Sequence, residues 1–281
     1  MAISTAGKSR LTDVLPLQER GGTSRCKWFR GLLSVSATAD LETAVAIVAD
    51  AAVRWQCRGA EPRYQAWRQA VTKRQSMPPE ESRRLTPFIQ PAFGLPSKPR
   101  PPEHIQGLVA EYIWYILAQE NLPADLQLRR IEGPGFSVTT PGGDGLVVYQ
   151  REDATLIFRL WEIKQHDSEG PVSRTVGRAY SQLSENAEFY LAQLTTLADN
   201  YAPDLAQLYA GLSDLWLERD PRAGVGVAVS TSETYLPKTC FGTMHKRFPD
   251  LPVDQLAGLV VGLGSFPAFA AAVRDQIWTV L

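Results

Sequence analysis

The sequence predicts an α/β protein in which a mixed central sheet is flanked by helices and preceded by a small, basic, mainly helical N-terminal domain. Beyond residue 102 the periodicity runs helix, three strands, helix, strand, strand, helix, which suits a sheet covered on two faces. Before residue 102 the apolar periodicity is helical, and six prolines from Pro87 to Pro102 indicate a linker. We therefore expect two domains, 1–102 and 103–281.

The N-terminal region starts with a polar, basic stretch. Residues 1–30 lack clear periodicity and are expected to form a loop or arm. A helix is predicted from Asp40, an N-cap candidate, because apolar residues then recur at i, i+3, i+4 and i+7. Pro62 is expected to open a second helix that ends near residue 75. Its arginines alternate with Tyr64 and Trp67, a mixture that suits either nucleic-acid binding or ordinary core packing.

The elements of the second region follow in a regular order. The predicted helices share a period near 3.6 and cover 104–119, 172–198, 205–218 and 265–278. The predicted strands are short apolar runs at 127–131, 136–139, 146–149, 155–164, 223–230 and 256–263. The last two runs are apolar throughout, which is typical of strands that are buried on both faces.

The net charge of −1 conceals an asymmetry along the chain. Residues 1–100 hold 16 Lys and Arg against 8 Asp and Glu, a balance of +8, which leaves −9 for the rest. A basic front joined to an acidic region that carries a carboxylate metal site suits the capture and cleavage of a phosphate backbone. The alternative is a solvated surface, or contacts with another protein.

Composition and motifs exclude several classes of protein. No apolar run approaches the roughly 18 to 20 residues that span a bilayer, so we expect a cytoplasmic protein without a membrane partner. The three cysteines are too widely scattered for a zinc site. The sequence has no P-loop, no dinucleotide-binding fingerprint and no HExxH motif.

The most informative residues close the predicted strand 155–164. Glu162 and Lys164 follow an apolar run and are two positions apart, so both side chains face the same side of the strand. Charges at the end of a buried strand need partners or a metal, because an unpaired buried charge is costly.

A second carboxylate is placed beside them by hairpin arithmetic. Residues 146–149 and 155–164 are expected to form an antiparallel pair around a polar turn centred near residue 153. That centre sets Asp144 opposite Glu162. Two neighbouring carboxylates provide hard oxygen ligands of the kind that Mg²⁺ prefers, with the Lys164 cation beside them.

This pattern resembles the PD-(D/E)XK, or restriction-endonuclease-like, superfamily of nucleases. In that family an acidic residue begins one strand and Glu/Asp-x-Lys lies on the next, places that Asp144, Glu162 and Lys164 fill here. The proline of the family name is absent before Asp144, which follows Gly142 and Gly143. The resemblance covers about residues 103–281, and it implies a restriction-endonuclease-like core that hydrolyses DNA phosphodiesters and leaves a 5′-phosphate.

The resemblance also implies roles for individual residues. Asp144, Glu162 and the backbone carbonyl of Ile163 would bind one or two Mg²⁺ or Mn²⁺ ions, and Lys164 would hold the nucleophile or a phosphate oxygen. Glu111 on the first helix is a candidate further ligand, direct or through water, because the superfamily often carries an acidic residue there. The alternative for Glu111 is a solvated helix flank.

The helix that follows the Glu-x-Lys strand should begin beside the site. Its polar face carries Arg174, Arg178 and Gln182, which are candidates for contacting DNA phosphates or orienting water. Simple exposure of a polar helix face is the alternative.

Within the superfamily, the GGDG, WEIK and AYSQL stretches resemble nuclease subunits of bacterial anti-phage defence systems such as the Hachiman type. That resemblance implies a helicase or ATPase partner. A restriction or repair nuclease is the near alternative. A catalytically silent subunit that binds DNA or senses a partner is the alternative from a different class.

Overall fold

The computed structural model describes residues 10–20, 26–33, 38–134, 143–166, 170–236 and 238–281. Its helices are α1 (Thr38–Gln56), α2 (Glu61–Lys73), α3 (Pro79–Phe93), α4 (Pro102–Glu120), α5 (Val172–Thr195), α6 (Pro203–Ala210), α7 (Leu212–Leu217), α8 (Met244–Arg247) and α9 (Phe266–Trp278). Its strands are β1 (Leu17–Arg20), β2 (Lys27–Leu32), β3 (Gly94–Leu95), β4 (Lys98–Pro99), β5 (Leu126–Glu132), β6 (Gly145–Arg151), β7 (Leu156–His166), β8 (Ala223–Thr231) and β9 (Leu256–Gly262).

Seven strands form one mixed sheet in the order β1-β2-β9-β8-β7-β6-β5. Strands β5, β6 and β7 pair antiparallel, whereas β7, β8, β9 and β2 run parallel to one another. Strand β1 completes the sheet antiparallel to β2. The parallel centre needs long crossovers, and α5 to α7 supply the crossover between β7 and β8.

Helices cover both faces of the sheet. On one face, α1, α4 and α9 pack over a core that includes Trp114, Trp161 and Ile163. On the other face, α5 and α7 pack over a core that includes Phe158, Leu160 and Tyr180. Consecutive residues of β7 alternate between the two cores, as the period of two in a strand requires. The predicted mixed α/β class with flanking helices is therefore confirmed.

The predicted elements beyond residue 102 are found with small shifts of their ends. The three antiparallel strands, the long α5 and the two fully buried strands β8 and β9 follow in the expected order. The predicted helix 205–218 is two helices that meet at Gly211. The predicted strand 136–139 lies outside the described residues.

The prediction that residues 1–30 form a loop or arm is wrong for the part that the structure describes. Strands β1 and β2 lie in this segment, and β2 pairs with β9 over its whole length. Trp28 of β2 is buried and belongs to the core beneath α5. The segment looked polar because Lys27 and Arg30 interrupt the apolar residues of β2, a strand that lies near the edge of the sheet.

Four of the six prolines predicted to mark a linker lie in helices or strands. Pro87 and Pro91 are inside α3, although each removes a backbone donor from the helix. Leu85, Ile89 and Phe93 recur at every fourth position and are fully buried, so their packing outweighs that cost. The short β3–β4 hairpin then leads to Pro102, the first residue of α4, a position that proline favours.

Strands from both sides of residue 102 thus share one sheet, and α1 packs against α9 and α4. Asp40 is not the N-cap of α1, because the helix already begins at Thr38. Within the described residues, no helix is both long and apolar enough to cross a bilayer.

Candidate metal and nuclease site

The β6–β7 hairpin brings Asp144 and Glu162 together. Gly145 pairs with Trp161, so Asp144, one residue earlier, lies opposite Glu162. The Asp144 amide donates a 2.8 Å hydrogen bond to the Trp161 carbonyl, so the hydrogen bonds between the two strands continue as far as Asp144 and Glu162. The predicted register is therefore confirmed. The turn supports it, because the Arg151 amide donates to the Thr155 carbonyl and an Asp153 carboxylate oxygen accepts from the Thr155 amide.

The glycines on either side of Asp144 are required by close packing. A Cβ on Gly145 would lie 2.2 Å from the ring of Trp114. A Cβ on Gly143 would lie 2.8 Å from both Leu160 and Tyr190. Only glycine fits at these two positions, because a side chain would clash with Trp114 or with Leu160 and Tyr190. The two glycines therefore allow the backbone to place Asp144 opposite Glu162.

Lys164 joins the two carboxylates. Its ammonium contacts a carboxylate oxygen of Glu162 directly and lies 3.9 Å from Oδ2 of Asp144. That same Asp144 oxygen accepts a 2.6 Å hydrogen bond from the Ile163 amide. The three side chains therefore face one space on the α5 side of the sheet, as the strand period predicted.

Burial makes this cluster electrostatically unusual. Glu162 is 1% exposed, and its Oε2 has no hydrogen-bond partner among the described residues. Burial and the neighbouring Asp144 charge raise the pKa of Glu162 to about 7, although Lys164 opposes the shift. Burial also raises the pKa of Asp144. Burial lowers the pKa of Lys164, but the charges of Asp144, Glu162 and Glu111 outweigh it and raise the pKa overall.

Glu111 is near this cluster without completing it. It is half-buried on α4, and its charge acts on Lys164 and on Tyr190. In the described ranges, no three acidic, histidine or cysteine side chains are grouped closely enough to hold a metal ion. The structure thus brings Asp144, Glu162 and Lys164 together, and Glu111 lies close enough for its charge to act on Lys164.

His166 continues the same strand face two residues beyond Lys164. It is buried, its Nδ1 lies 2.8 Å from the Thr175 hydroxyl, and its Nε2 lies 3.1 Å from the Gly170 carbonyl. Since a carbonyl can only accept, Nε2 carries the proton toward Gly170. His166 therefore fastens the start of α5 to the end of β7, with Glu233 3.5 Å from the same nitrogen.

The residues predicted to contact DNA lie on the first turns of α5. Arg174 and Arg178 are exposed, and Gln182 is half-buried one turn further along. Arg178 donates a 3.1 Å hydrogen bond to the Thr175 hydroxyl, which links it through His166 to the strand that carries Glu162. The two arginines thus lie at the helix end that adjoins the candidate site.

Sequence reasoning missed the position of Tyr190. This residue is on the buried face of α5 and packs against Gly143 beside Asp144. Burial and the charges of the surrounding carboxylates, Asp144 first, raise the pKa of its hydroxyl. No short-range signal could reveal this contact, because it depends on how α5 lies across β6. The position of His166 was predictable from the sequence, because Glu162, Lys164 and His166 are two residues apart and a strand places such residues on one face.

The two carboxylates are donors of the chemical type that a hard divalent cation takes. Two carboxylates share one space, one of them has an unpartnered buried oxygen, and Mg²⁺ takes oxygen ligands together with water. A scan against models of known protein families gives no match for this chain, and a search of functionally characterised proteins finds no significant relative.

Proposed function

We propose that this protein is a Mg²⁺-dependent (or Mn²⁺-dependent) nuclease that hydrolyses DNA phosphodiester bonds. The observation that carries the proposal is the convergence of Asp144, Glu162 and Lys164 in one space, where Glu162 is buried and one of its oxygens has no hydrogen-bond partner among the described residues. A buried carboxylate in this state is unfavourable for stability. Strained electrostatics of this kind are typical of functional sites.

The order of elements supports the same proposal. Helix α4, strands β5 to β7, helix α5 and strand β8 follow one another with antiparallel and then parallel pairing. This is the arrangement that the resemblance to the PD-(D/E)XK superfamily implies for a restriction-endonuclease-like core. The acidic and basic residues lie on β6 and β7, where the resemblance also puts them.

In this proposal each residue has a separate task. The Asp144 and Glu162 carboxylates and the Ile163 carbonyl hold the ion, and Glu111 acts through a water molecule. The bound Mg²⁺ supplies an activated water and neutralises charge on the phosphate and the leaving oxygen. Lys164 holds the attacking oxygen or a non-bridging phosphate oxygen, since its ammonium already lies beside both carboxylates.

Arg174, Arg178 and Gln182 are proposed to bind the phosphates next to the scissile bond. The link from Arg178 through Thr175 and His166 to β7 gives this part of α5 a fixed position relative to Glu162. Arginine suits the task because its planar guanidinium can bind a phosphate through two parallel hydrogen bonds.

One observation favours a catalytically silent, DNA-binding or sensing subunit as the second candidate. Lys164 forms ion-pair contacts with both carboxylates without a metal, and the described residues include no group of three metal-ligating side chains. A silent subunit would use the ion pair only to hold β6 and β7 in register. Metal binding by the purified protein separates this candidate from the first.

Action in anti-phage defence beside a helicase or ATPase is proposed on the resemblance of the GGDG, WEIK and AYSQL stretches alone. A restriction or repair nuclease is the alternative setting for the same chemistry. Co-purification with an ATPase encoded beside this chain would favour the defence setting.

The deciding experiment incubates the protein with linear and circular DNA, each single- and double-stranded, in Mg²⁺ or EDTA. We expect cleavage in Mg²⁺ only, with 5′-phosphate ends. Glu162→Gln should be inactive. Glu152→Gln is the matched control, because Glu152 is exposed in the turn at the opposite end of the same hairpin. Equal activity of the two variants would reject the assignment of the site.

A further inference from the structure

A groove of about 1150 Å³ lies between α1, α2, α4 and strand β5. We call it the α1–β5 groove and define it by Arg54, Trp55, Arg58, Arg68, Tyr115 and Arg130. Strand β5 ends the sheet among the described strands, so the groove runs along the sheet edge. Trp67 and Arg68 of α2, the helix whose arginines and aromatic residues suit nucleic-acid binding or core packing, also line this groove.

The described lining of the groove has a positive formal charge, because it carries five arginines (Arg54, Arg58, Arg68, Arg129, Arg130) against three acidic residues (Asp50, Glu61, Glu120). Both carboxylate oxygens of Glu120 accept from backbone amides, those of Leu11 and Thr12, at 2.9 and 2.8 Å. Asp50 accepts from the Tyr64 hydroxyl and lies 3.7 Å from Arg68.

Arg54, by contrast, is exposed and forms no ion pair with any described carboxylate. Its guanidinium lies 5.8 Å from the centre of the Tyr64 ring. Arg58 lies 4.4 Å over the Trp55 ring. The groove therefore presents positive charge next to flat aromatic surfaces, which suits a phosphate backbone and its bases.

The aromatic wall is held rigidly. The Trp55 indole donates a 2.6 Å hydrogen bond to the Pro134 carbonyl, and its ring lies 4.9 Å from the Tyr115 ring. A Cβ on Gly133 would lie 2.9 Å from Tyr115 and 3.2 Å from Trp55, so only glycine lets the backbone lie against both rings. Both rings remain partly exposed to the groove.

The groove connects to the candidate site through α4. Tyr115 is one helical turn after Glu111, whose charge acts on Lys164. Gly133 and Pro134 directly follow β5, and Asp144 directly precedes β6, the strand paired with it. The groove and the candidate site are thus joined by α4 and by the β5–β6 pair, with the groove on the α1 and α4 face of the sheet and the site on the α5 face.

We infer that the α1–β5 groove binds single-stranded nucleic acid, the substrate that the candidate site would cleave. This inference rests on the proposed nuclease function and adds the class of substrate. Unpaired bases can stack on Trp55, Tyr115 and the Arg58 guanidinium, whereas duplex bases are already stacked on one another. An acidic peptide would use the arginines but would gain nothing from the exposed rings.

The test measures binding of fluorescent oligothymidylate by anisotropy in EDTA, so that cleavage plays no part. Arg54→Glu should weaken binding on the order of tenfold or more. Arg54→Gln should flatten the log–log salt dependence by about 0.7, the value expected for losing one phosphate contact on a single strand. Arg83→Glu is the control, because Arg83 is an exposed arginine of the same basic region outside the groove.

Three results would overturn the inference: equal weakening by Arg54→Glu and Arg83→Glu, tighter binding of a duplex of the same sequence, or efficient competition by polyglutamate. Circular dichroism of each variant excludes misfolding as the cause. The outcome is separable from the nuclease proposal. Groove binding without any cleavage would reject only the nuclease, and cleavage of single strands with an unchanged KM in Arg54→Glu would reject only the groove.

Discussion

Two buried glutamates on the same side of the sheet show how differently one residue type can be used. Glu132, at the end of β5, is 2% exposed, and its Oε1 accepts from the Tyr201 and Tyr209 hydroxyls and from Arg130 at 2.5, 2.7 and 3.0 Å. Glu162, on β7, is 1% exposed, faces a second carboxylate and has an oxygen without a partner among the described residues.

The difference separates a structural carboxylate from a functional one. Three donors converge on Glu132 and satisfy its charge inside the protein, so the cluster fastens β5 to α6. Glu162 has a single cation that it shares with Asp144. The negative charge of Glu162 is therefore only partly compensated, and a further cation could bind there and compensate it. Conservative substitutions at the two positions should therefore have opposite consequences.

The largest expected effect is on catalysis. Glu162→Gln should lower Mg²⁺-dependent cleavage roughly 1000-fold or more, because the amide keeps the size but not the charge that holds the ion. Glu132→Gln should cleave near the wild-type rate when assayed well below its melting temperature. Initial rates on a labelled DNA substrate check both. Comparable losses of activity in the two variants would show that activity depends on a buried glutamate as such, and not on the Glu162 oxygen that lacks a hydrogen-bond partner among the described residues.

Lys164→Ala should have the next largest effect. Removing the ammonium spares both carboxylates, so Mg²⁺ binding should persist while the rate falls roughly 100-fold. Calorimetric Mg²⁺ titration and single-turnover cleavage measure the two properties separately. A variant that cleaves at the wild-type rate in saturating Mg²⁺ would remove Lys164 from the mechanism.

Glu132→Gln should mainly affect stability. The neutral amide replaces charge-assisted hydrogen bonds from two tyrosines and an arginine, at a cost of about 2 kcal/mol in the free energy of unfolding. Urea denaturation provides the measurement, with Glu152→Gln as an exposed control that should change little. An unchanged midpoint would mean that this cluster contributes nothing to the fold.

The smallest effect is the pH dependence of stability without metal. Because the folded-state pKa of Glu162 is about 7, above its ordinary value of 4.5, its contribution is fully present below about pH 4.5 and is lost as the pH rises through 7. Glu162→Gln removes this loss, so in EDTA at pH 8 it should be more stable than wild type by roughly 1 kcal/mol or more. Thermal melts at pH 5 and pH 8 test the sign, and a variant destabilised at pH 8 would contradict the direction of the pKa shift.

The sequence was sufficient for what depends on local geometry. Asp144 and Glu162 are 18 positions apart and joined by one tight turn, so the strand period and the turn centre near 153 determine that they meet. The same period places Lys164, and also His166, on the Glu162 face. The order of strands and helices after residue 102 followed from apolar periodicity, because those elements bury most of their own side chains.

Tertiary structure alone decided the rest. Strand β2 was unrecognised because its partner β9 is more than 200 positions away, and its own pattern is half polar. The helix that contains Pro87 and Pro91 forms because its apolar stripe reaches the core under α1 and α4, a gain that local propensity does not include. The packing of distant elements produces three further features. These are the Glu162 oxygen without a hydrogen-bond partner among the described residues, the Glu132 carboxylate with its three donors, and the α1–β5 groove. Whether a side chain is buried, and which groups it contacts, depends on residues that are close in space. Those residues come together only once the sheet and its helices have assembled.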